Sequence, residues 1–302
     1  VGHFQPKRVS DVAAAAEQIS REGSFAIQEV CECLSLSRSS FYEHKRAEPS
    51  SREAETRELT PLVMDIFWKH RKRYGTRRIV DELADSCIAV ARRKVATIMK
   101  TQGLRAIQPK SFKPKTTESR HRLGYSPNLL LENFSLTRIN QLWVGDITYV
   151  PMVNQRFCYL AVLMDRHSRR IVGWHIDETM TEDLVIRALK NAIAARQPEN
   201  KLIHHSDRGG QYAGKQFRAV LRRASMLQSM SRANDCYDNA FMESCFGTIK
   251  TELEMTEYKN MQSAVAELAE YFAYYNCHRK HSGIGYQTPT QFENNQLVHS
   301  KP

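Results

Sequence analysis

The sequence predicts an α/β chain in which a mixed-sheet core follows two small all-α modules of helix-turn-helix outline. Three observations lead there. The first hundred or so residues place apolar side chains at helical spacing, about every third or fourth position. After about Ser135, three β-rich runs follow one another with only short turns between them. Beyond those runs, helical and strand-like segments alternate, which makes a mixed sheet with helical cover. With 302 residues, 41% of them hydrophobic, the chain can hold two or three units and is too apolar to be disordered throughout.

The first module spans residues 1–48. Asp11 to Arg21 reads as an Ala-rich helix, and Phe25 to Leu34 as a second, with Ile27, Val30, Cys31 and Leu34 on one face. Ser35-Leu36-Ser37 then turns the chain, and Ser37 is the N-cap of a third helix, Arg38 to Lys45. A polar helix after a three-residue turn is the outline of a DNA-reading pair. In that geometry Arg38, Ser39 and Ser40 face DNA while Phe41 or Tyr42 packs back. Ala47 to Glu58 is polar, contains Pro49, Ser50 and Ser51, and reads as a linker.

The second module, residues 59–107, opens with an apolar helix from Leu62 to His70. A turn at Tyr74-Gly75 and a cap at Thr76 introduce a helix through Leu83. A third helix, Ala89 to Met99, turns Val90, Val95, Ile98 and Met99 inward and Arg92, Arg93 and Lys94 outward. Residues 108–135 form a basic linker, extended by Lys and Pro from Gln108 to Lys115.

The core spans residues 136–295. Leu142 to Val150, Phe157 to Asp165 and Arg170 to Ile176 read as an antiparallel meander with turns at Asn154-Gln155 and His167-Ser168. Then come a helix (Glu182 to Ala195), a short strand (Lys201 to His205), a helix (Lys215 to Ala224), a short strand (Leu227 to Met230) and a helix from Asn239 through Leu253.

Charge narrows the function. The formal charge is +11, yet Lys69 to Arg122 alone holds 16 Lys+Arg against four acids, a local +12. The rest of the chain is therefore close to neutral. A charge block confined to one segment points to a polyanion. A membrane surface fits less well, because the segment lacks a wide apolar face. No apolar run approaches the roughly 20 residues of a membrane span, and no signal peptide is seen, so a cytoplasmic location is expected. The seven cysteines include no C-x-x-C pair, which argues against a disulfide framework or a zinc ribbon.

Three acids sit in unusual settings. Asp146 lies in the middle of an apolar strand, where a charge is costly unless paired or bound to a cation. Asp207 ends a strand in His204-His-Ser-Asp-Arg-Gly-Gly, whose paired glycines permit a sharp exit. Glu243 lies on a helix with Asn239 one turn before it. Three carboxylates converging at strand ends suit a hard cation such as Mg²⁺, and two such ions serve phosphoryl transfer. Each acid alone also fits a structural or surface role, and Asp165, Asp177 and Asp238 compete with them.

Thirty-five residues separate Asp207 from Glu243. With Trp143-Val-Gly-Asp-Ile-Thr-Tyr, Ser168-Arg-Arg-Ile-Val-Gly-Trp, His205-Ser-Asp-Arg-Gly-Gly-Gln-Tyr and Cys236-Tyr-Asp-Asn-Ala-Phe-Met-Glu-Ser, this spacing resembles the transposases of the insertion sequence 3 family. Phe246-Gly-Thr-Ile-Lys-Thr-Glu-Leu, the tail from Tyr275 to Pro289 and Tyr74-Gly-Thr-Arg-Arg-Ile also match, so the likeness covers nearly the whole chain. More distantly, the chain resembles retroviral integrases. The resemblance implies a ribonuclease-H-like catalytic core with Asp146, Asp207 and Glu243 as catalytic metal ligands for two Mg²⁺ ions, for which Mn²⁺ can substitute. It implies that Lys250, two helical turns after Glu243, contacts DNA near the cut end, and Asn239 is read as orienting Glu243 or a phosphate. Arg77, Arg78, Arg92, Arg93 and Lys94 are the DNA contacts expected of the second module. One departure is Ala233-Asn234-Asp235, where the family often carries glycine.

The implied activity is that of a DNA transposase. It would bind terminal inverted repeats, cleave 3′ ends and transfer strands to target DNA by a copy-out route through a circular intermediate. The implied partners are double-stranded DNA, further copies of the chain in a homodimer or larger assembly, and the upstream helix-turn-helix and leucine-zipper protein of the same element. The implied location is the bacterial nucleoid. Beginning at Val1 without zipper heptads, the chain reads as the downstream product or a fragment of a fusion.

Other readings compete. A DNA-binding repressor derived from a dead transposase would use both helical modules but would not need the acidic triad. A ribonuclease-H-type nuclease would share the metals without needing the modules. His204-His205-Ser206-Asp207 cannot assemble a hydrolase triad locally, since neighbours on a strand face opposite ways. Cys277, His278 and His281 offer only three ligands in five residues, so zinc is not expected.

Overall fold

The computed structural model describes residues 9–23, 25–45, 50–108, 124–130, 134–154, 156–232, 240–254 and 257–299. It divides into two compact units, Val1–Asp65 and Ile66–Pro302. Most of the expected basic linker, including the Lys/Pro stretch after Gln108, lies outside the described residues.

The first unit holds α1 (Val9–Gly23), α2 (Ile27–Cys33) and α3 (Arg38–Lys45). Ser35 takes a left-handed φ of 50° in the turn. Ser37 Oγ then accepts from the Ser40 amide at 3.0 Å, which is the expected cap. Phe41 packs into the core with Ala13, Ala16, Val30 and Cys31, whereas Tyr42 stays exposed. Helix α4 (Ser51–Lys69) corrects the linker expected over Ala47 to Glu58. Ser50 and Glu53 form a reciprocal cap: the Ser50 amide donates to the Glu53 carboxylate at 2.9 Å, and the Glu53 amide donates to Ser50 Oγ at 3.3 Å. That S-x-x-E signature starts a helix where composition alone suggests a loop.

In the second unit, α5 (Thr76–Asp85) is entered through Gly75 as N-cap, so Thr76 is the first helical residue and not the cap. Helix α6 (Arg92–Thr101) starts later than expected because Ala91 is still extended at ψ 135°. Ile79, Leu83, Val95 and Ile98 are fully buried in this module.

The sheet contains β1 (Leu142–Met152), β2 (Arg156–Asp165), β3 (Ile171–Asp177), β4 (Ile203–Ser206) and β5 (Leu227–Met230). Its order is β3-β2-β1-β4-β5. The expected meander is antiparallel, and β4 and β5 add in parallel on the other side of β1. Parallel addition requires crossovers. These are α7 (Glu182–Arg196), and the pair α8 (Gly210–Ala213) and α9 (Lys215–Arg223). One sheet face packs on α7, α8 and α9 through Trp143, Leu163, Leu189 and Phe217. Helix α7 lies so close to β3 that a Cβ on Gly173 would stand 2.6 Å from the Ala188 carbonyl. The opposite face packs on α10 (Ala240–Glu252) and α11 (Met261–Cys277) through Val144, Val162, Ile249 and Phe272. Asn260 and Ser263 cap α11 reciprocally, and α12 (Pro289–His299) closes the described chain.

Candidate active site

Strand alternation positions the first acid. Leu142, Val144, Val150 and Met152 of β1 form one stripe against α10 and α11, and Asp146 occupies a position of the same stripe. The β1–β4 pairing runs through Val144 opposite His205. Continuing it by two residues sets Asp146 opposite Asp207, which follows the last residue of β4. Neighbouring strands lie about 4.8 Å apart, close enough for two carboxylates to share a cation.

Local hydrogen bonds orient both groups. The Ile147 amide donates to Asp146 Oδ1 at 2.7 Å, and the Gly209 amide donates to Asp207 Oδ1 at 3.0 Å. Gly145 next to Asp146 has no room for a side chain: a Cβ would lie 2.8 Å from His204 Nε2 and 3.6 Å from the Tyr212 hydroxyl. His204 is fully buried against Tyr212 and Phe217, and burial, with the charge of His205, pushes it down to about 3. It is therefore a neutral packing group at pH 7. Burial and then the negative fields of Asp146 and Asp207 push the Tyr212 hydroxyl well above its usual range, so one buried ring senses both carboxylates.

The third acid is placed differently. Glu243 lies exposed in the first turn of α10. Among the described residues, no three His, Cys, Asp or Glu side chains converge as metal ligands. The strand register sets Asp146 and Asp207 side by side, and Glu243 stands exposed at the start of α10. Asn239 and the Ala233-Asn234-Asp235 departure lie outside the described residues. Lys250, two turns along α10, is half-buried. Burial lowers its ammonium and the Asp146 carboxylate opposes that shift, which puts this lysine in the field of Asp146. Of the competing acids, Asp165 is absorbed by structure, accepting from the Asn140 amide ahead of β1 and from the amides of His167 and Ser168 in the β2–β3 turn. An all-oxygen carboxylate pair of this kind fits a hard divalent cation.

The expected DNA contacts divide into two groups. Arg38, Ser39, Arg77, Arg92 and Arg93 are exposed. Ser40 is half-buried with its hydroxyl 2.7 Å from that of Ser37, and Lys94 is half-buried. Arg78 departs from the expectation. Its guanidinium turns inward over the Tyr74 ring and lies 3.4 Å from Glu252, so an internal carboxylate already takes its charge.

That contact belongs to a network sequence reasoning missed. Arg279, buried beside α10, donates to Glu252 at 2.8 Å. Lys280 Nζ donates to Asp81 and Asp85 of α5, and the Lys280 amide donates to the Tyr74 hydroxyl oxygen at 2.9 Å. Burial lowers Lys280, but those two carboxylates outweigh it and hold the ammonium above its usual range. The available signal was an acidic i, i+4 pair inside an otherwise basic block.

The Integrase core domain family matches residues 137–236, a second Integrase core domain family matches 225–289, and an HTH-like domain family matches 54–112. A 31 kDa protein of insertion element IS600 from Shigella sonnei is 38% identical over 87% of this chain and 97% of its own length. Transposase InsF of insertion sequence IS3A from Escherichia coli K12 is 35% identical over 92% of this chain and 97% of its own. Among solved structures, the HTLV-2 integrase catalytic core domain in complex with magnesium is 18% identical, covering 51% of this chain and 96% of that one at a TM-score of 0.41. A simian T-cell lymphotropic virus intasome chain is 16% identical over 80% of this chain and 75% of that one, at 0.43. The integrase-core matches and the mixed five-stranded sheet make this the ribonuclease-H-like α/β class expected from the sequence.

Proposed function

Because the chain belongs to the insertion sequence 3 family of transposases, we propose that it binds the terminal inverted repeats of its element, cleaves their 3′ ends and joins them to another phosphodiester. The observation that carries this reading is the β1–β4 register, which sets Asp146 opposite Asp207 just past the end of β4, with Lys250 in the field of Asp146. The residues that would hold the cofactor are Asp146, Asp207 and Glu243, with two Mg²⁺ ions, or Mn²⁺ in their place. When bound, such ions lower the barrier to phosphoryl transfer by activating the nucleophile and stabilising the leaving oxygen.

The chain's own residues set the stage. Gly145 and His204 fix the backbone under Asp146, and the Gly209 amide fixes Asp207. Lys250 offers a cation to the phosphate backbone near the cut. Hydrolysis breaks the bond between phosphorus and the 3′ oxygen and leaves a 3′-hydroxyl. That hydroxyl then attacks a second phosphodiester, forming one bond to phosphorus as another breaks. For the whole reaction we favour the copy-out route through a circle, in an assembly of two or more chains that pairs both ends. The upstream helix-turn-helix and leucine-zipper protein of the element is a further partner. Residues 1–48 and 59–107 supply DNA binding, with exposed Arg38, Arg77, Arg92 and Arg93 in the leading roles; phosphate contacts position the protein and recognition-helix contacts specify sequence. Action on chromosomal DNA places it at the bacterial nucleoid.

The test is strand joining on a terminal-repeat duplex in Mg²⁺, comparing wild type with Glu243→Gln. The expected result is joined product from wild type, none from the variant, and equal DNA affinity. Binding by wild type without cutting, even with the upstream protein added, would leave only a DNA-binding relic.

A further inference from the structure

Three arginines crowd the turn between β2 and β3. Arg170 is neutralised, with Nη1 3.0 Å from Glu293, a carboxylate that Arg196 also holds at 2.8 Å. Arg166 and Arg169 are not. Both are half-buried, and among the described residues no carboxylate lies within ion-pair distance of either. Instead their guanidinium groups converge on one ring, that of Phe241, at 3.1 and 4.5 Å from its centroid. Phe241 is in the first turn of α10, two residues before Glu243.

This arrangement is costly as it stands. Burial, and then the charge of Arg169, lower Arg166 to about 10; burial also lowers Arg169. Both remain cationic at neutral pH, so two like charges are held together, partly desolvated, with a ring face as their counterweight among the described residues. Arg169 is also held at a left-handed φ of 64°, a conformation that a side-chain-bearing residue keeps only where its surroundings impose it. Among the described residues the cluster has no anion beside it. Planar guanidinium groups converging from two sides match the oxygens of a phosphate better than a point charge does.

We propose that Arg166 and Arg169, stacked on Phe241, form a clamp for a backbone phosphate of the DNA strand running past the first turn of α10. The clamp rests on the transposase reading for the source of its phosphate. It assigns DNA contact to a turn lying outside both helical modules and outside the basic block from Lys69 to Arg122.

The experiment measures binding of the full chain to a terminal-repeat duplex across a range of salt, for wild type, Arg166→Gln/Arg169→Gln and Arg166→Lys/Arg169→Lys. It adds thermal melting with and without inorganic phosphate. The glutamine pair should lower the slope of log affinity against log salt by roughly 0.9, for the one phosphate the two arginines share, and the lysine pair should retain most of it. Inorganic phosphate should raise the melting temperature of wild type but not of the glutamine pair. An unchanged slope in a glutamine pair that melts like wild type would overturn the clamp, as would an undiminished phosphate response. Should the glutamine pair melt far below wild type in phosphate-free buffer, the arginines pack rather than bind, and the proposal fails. Wild type that neither binds nor cuts the duplex would sink the transposase reading instead, while the phosphate arm still judges the clamp.

Discussion

Arg279 donates through Nε and Nη2 to both carboxylate oxygens of Glu252, at 2.8 to 3.0 Å, with the two residues only 5% and 7% exposed. The Tyr271 hydroxyl adds a third donor at 3.0 Å. Burial pushes the Glu252 carboxyl up, but Arg279, Arg78 and Tyr271 outweigh it and hold it below its usual 4.5. The C-terminal end of α10 is thereby tied to the segment following α11, and through Arg78 and Lys280 to α5. The helix that carries Glu243 and Lys250 is braced against the second helical module.

Removing one partner should cost far more than removing both. Glu252→Gln leaves Arg279 buried without its counter-charge and should destabilise by about 3–5 kcal/mol. Glu252→Leu combined with Arg279→Met should come out near neutral, because the desolvation of both charges is removed together. Denaturant midpoints for wild type, Glu252→Leu, Arg279→Met and the double variant, with Glu252→Gln beside them, check this. Additive losses would mean that the pair is not coupled.

Stability should fall on mild acidification. His204 is pushed down to about 3 and His281 to about 2, both chiefly by burial. Their folded values lie below the unfolded 6.5, so the unfolded chain binds more protons. The stability they contribute is complete above pH 6.5 and is lost as pH falls through that value. Each histidine should remove up to about 1.4 kcal/mol per pH unit below 6.5. Urea midpoints from pH 8 to pH 5 measure it, and a flat profile would contradict the buried neutral state.

Gly145→Ala should act on the site through its backbone. The new Cβ meets His204 Nε2 at 2.8 Å, and that ring is itself packed on Phe217 at 5.1 Å. Such overpacking costs about 1–3 kcal/mol, and the displaced strand carries Asp146 with it. End nicking should drop at least tenfold while DNA affinity stays unchanged. Full activity in a variant that melts like wild type would show that the contact is soft.

Much of this was legible in the sequence where the signals are local. Helix α3 and strand β5 have the expected limits, and a turn just ahead of each fixes where it starts. Asp146 and Asp207 stood out because a charge inside an apolar strand and a strand end followed by two glycines are local anomalies. Helix α4 was misjudged over its first turns because Ser50 and Ser51 serve linkers and caps alike. The four-residue α8 is too short to show a period. The brace could not be read at all: Asp81 and Lys280 are 199 positions apart, and only the folded chain brings them together. Arg78 was assigned to DNA for the same reason, since nothing near it in sequence announces Glu252.

The account stands most directly on Asp207. Single-turnover nicking of a terminal-repeat duplex in Mg²⁺ should be measured for wild type and Asp207→Asn, with binding followed on the same samples. The carboxamide keeps the shape that accepts the Gly209 amide but loses the charge. The account predicts nicking lowered by at least a thousandfold, about 4 kcal/mol of barrier, at unchanged DNA affinity. Nicking within a few-fold of wild type would contradict it, because the carboxylate pair on β1 and β4 would then not be the catalytic centre.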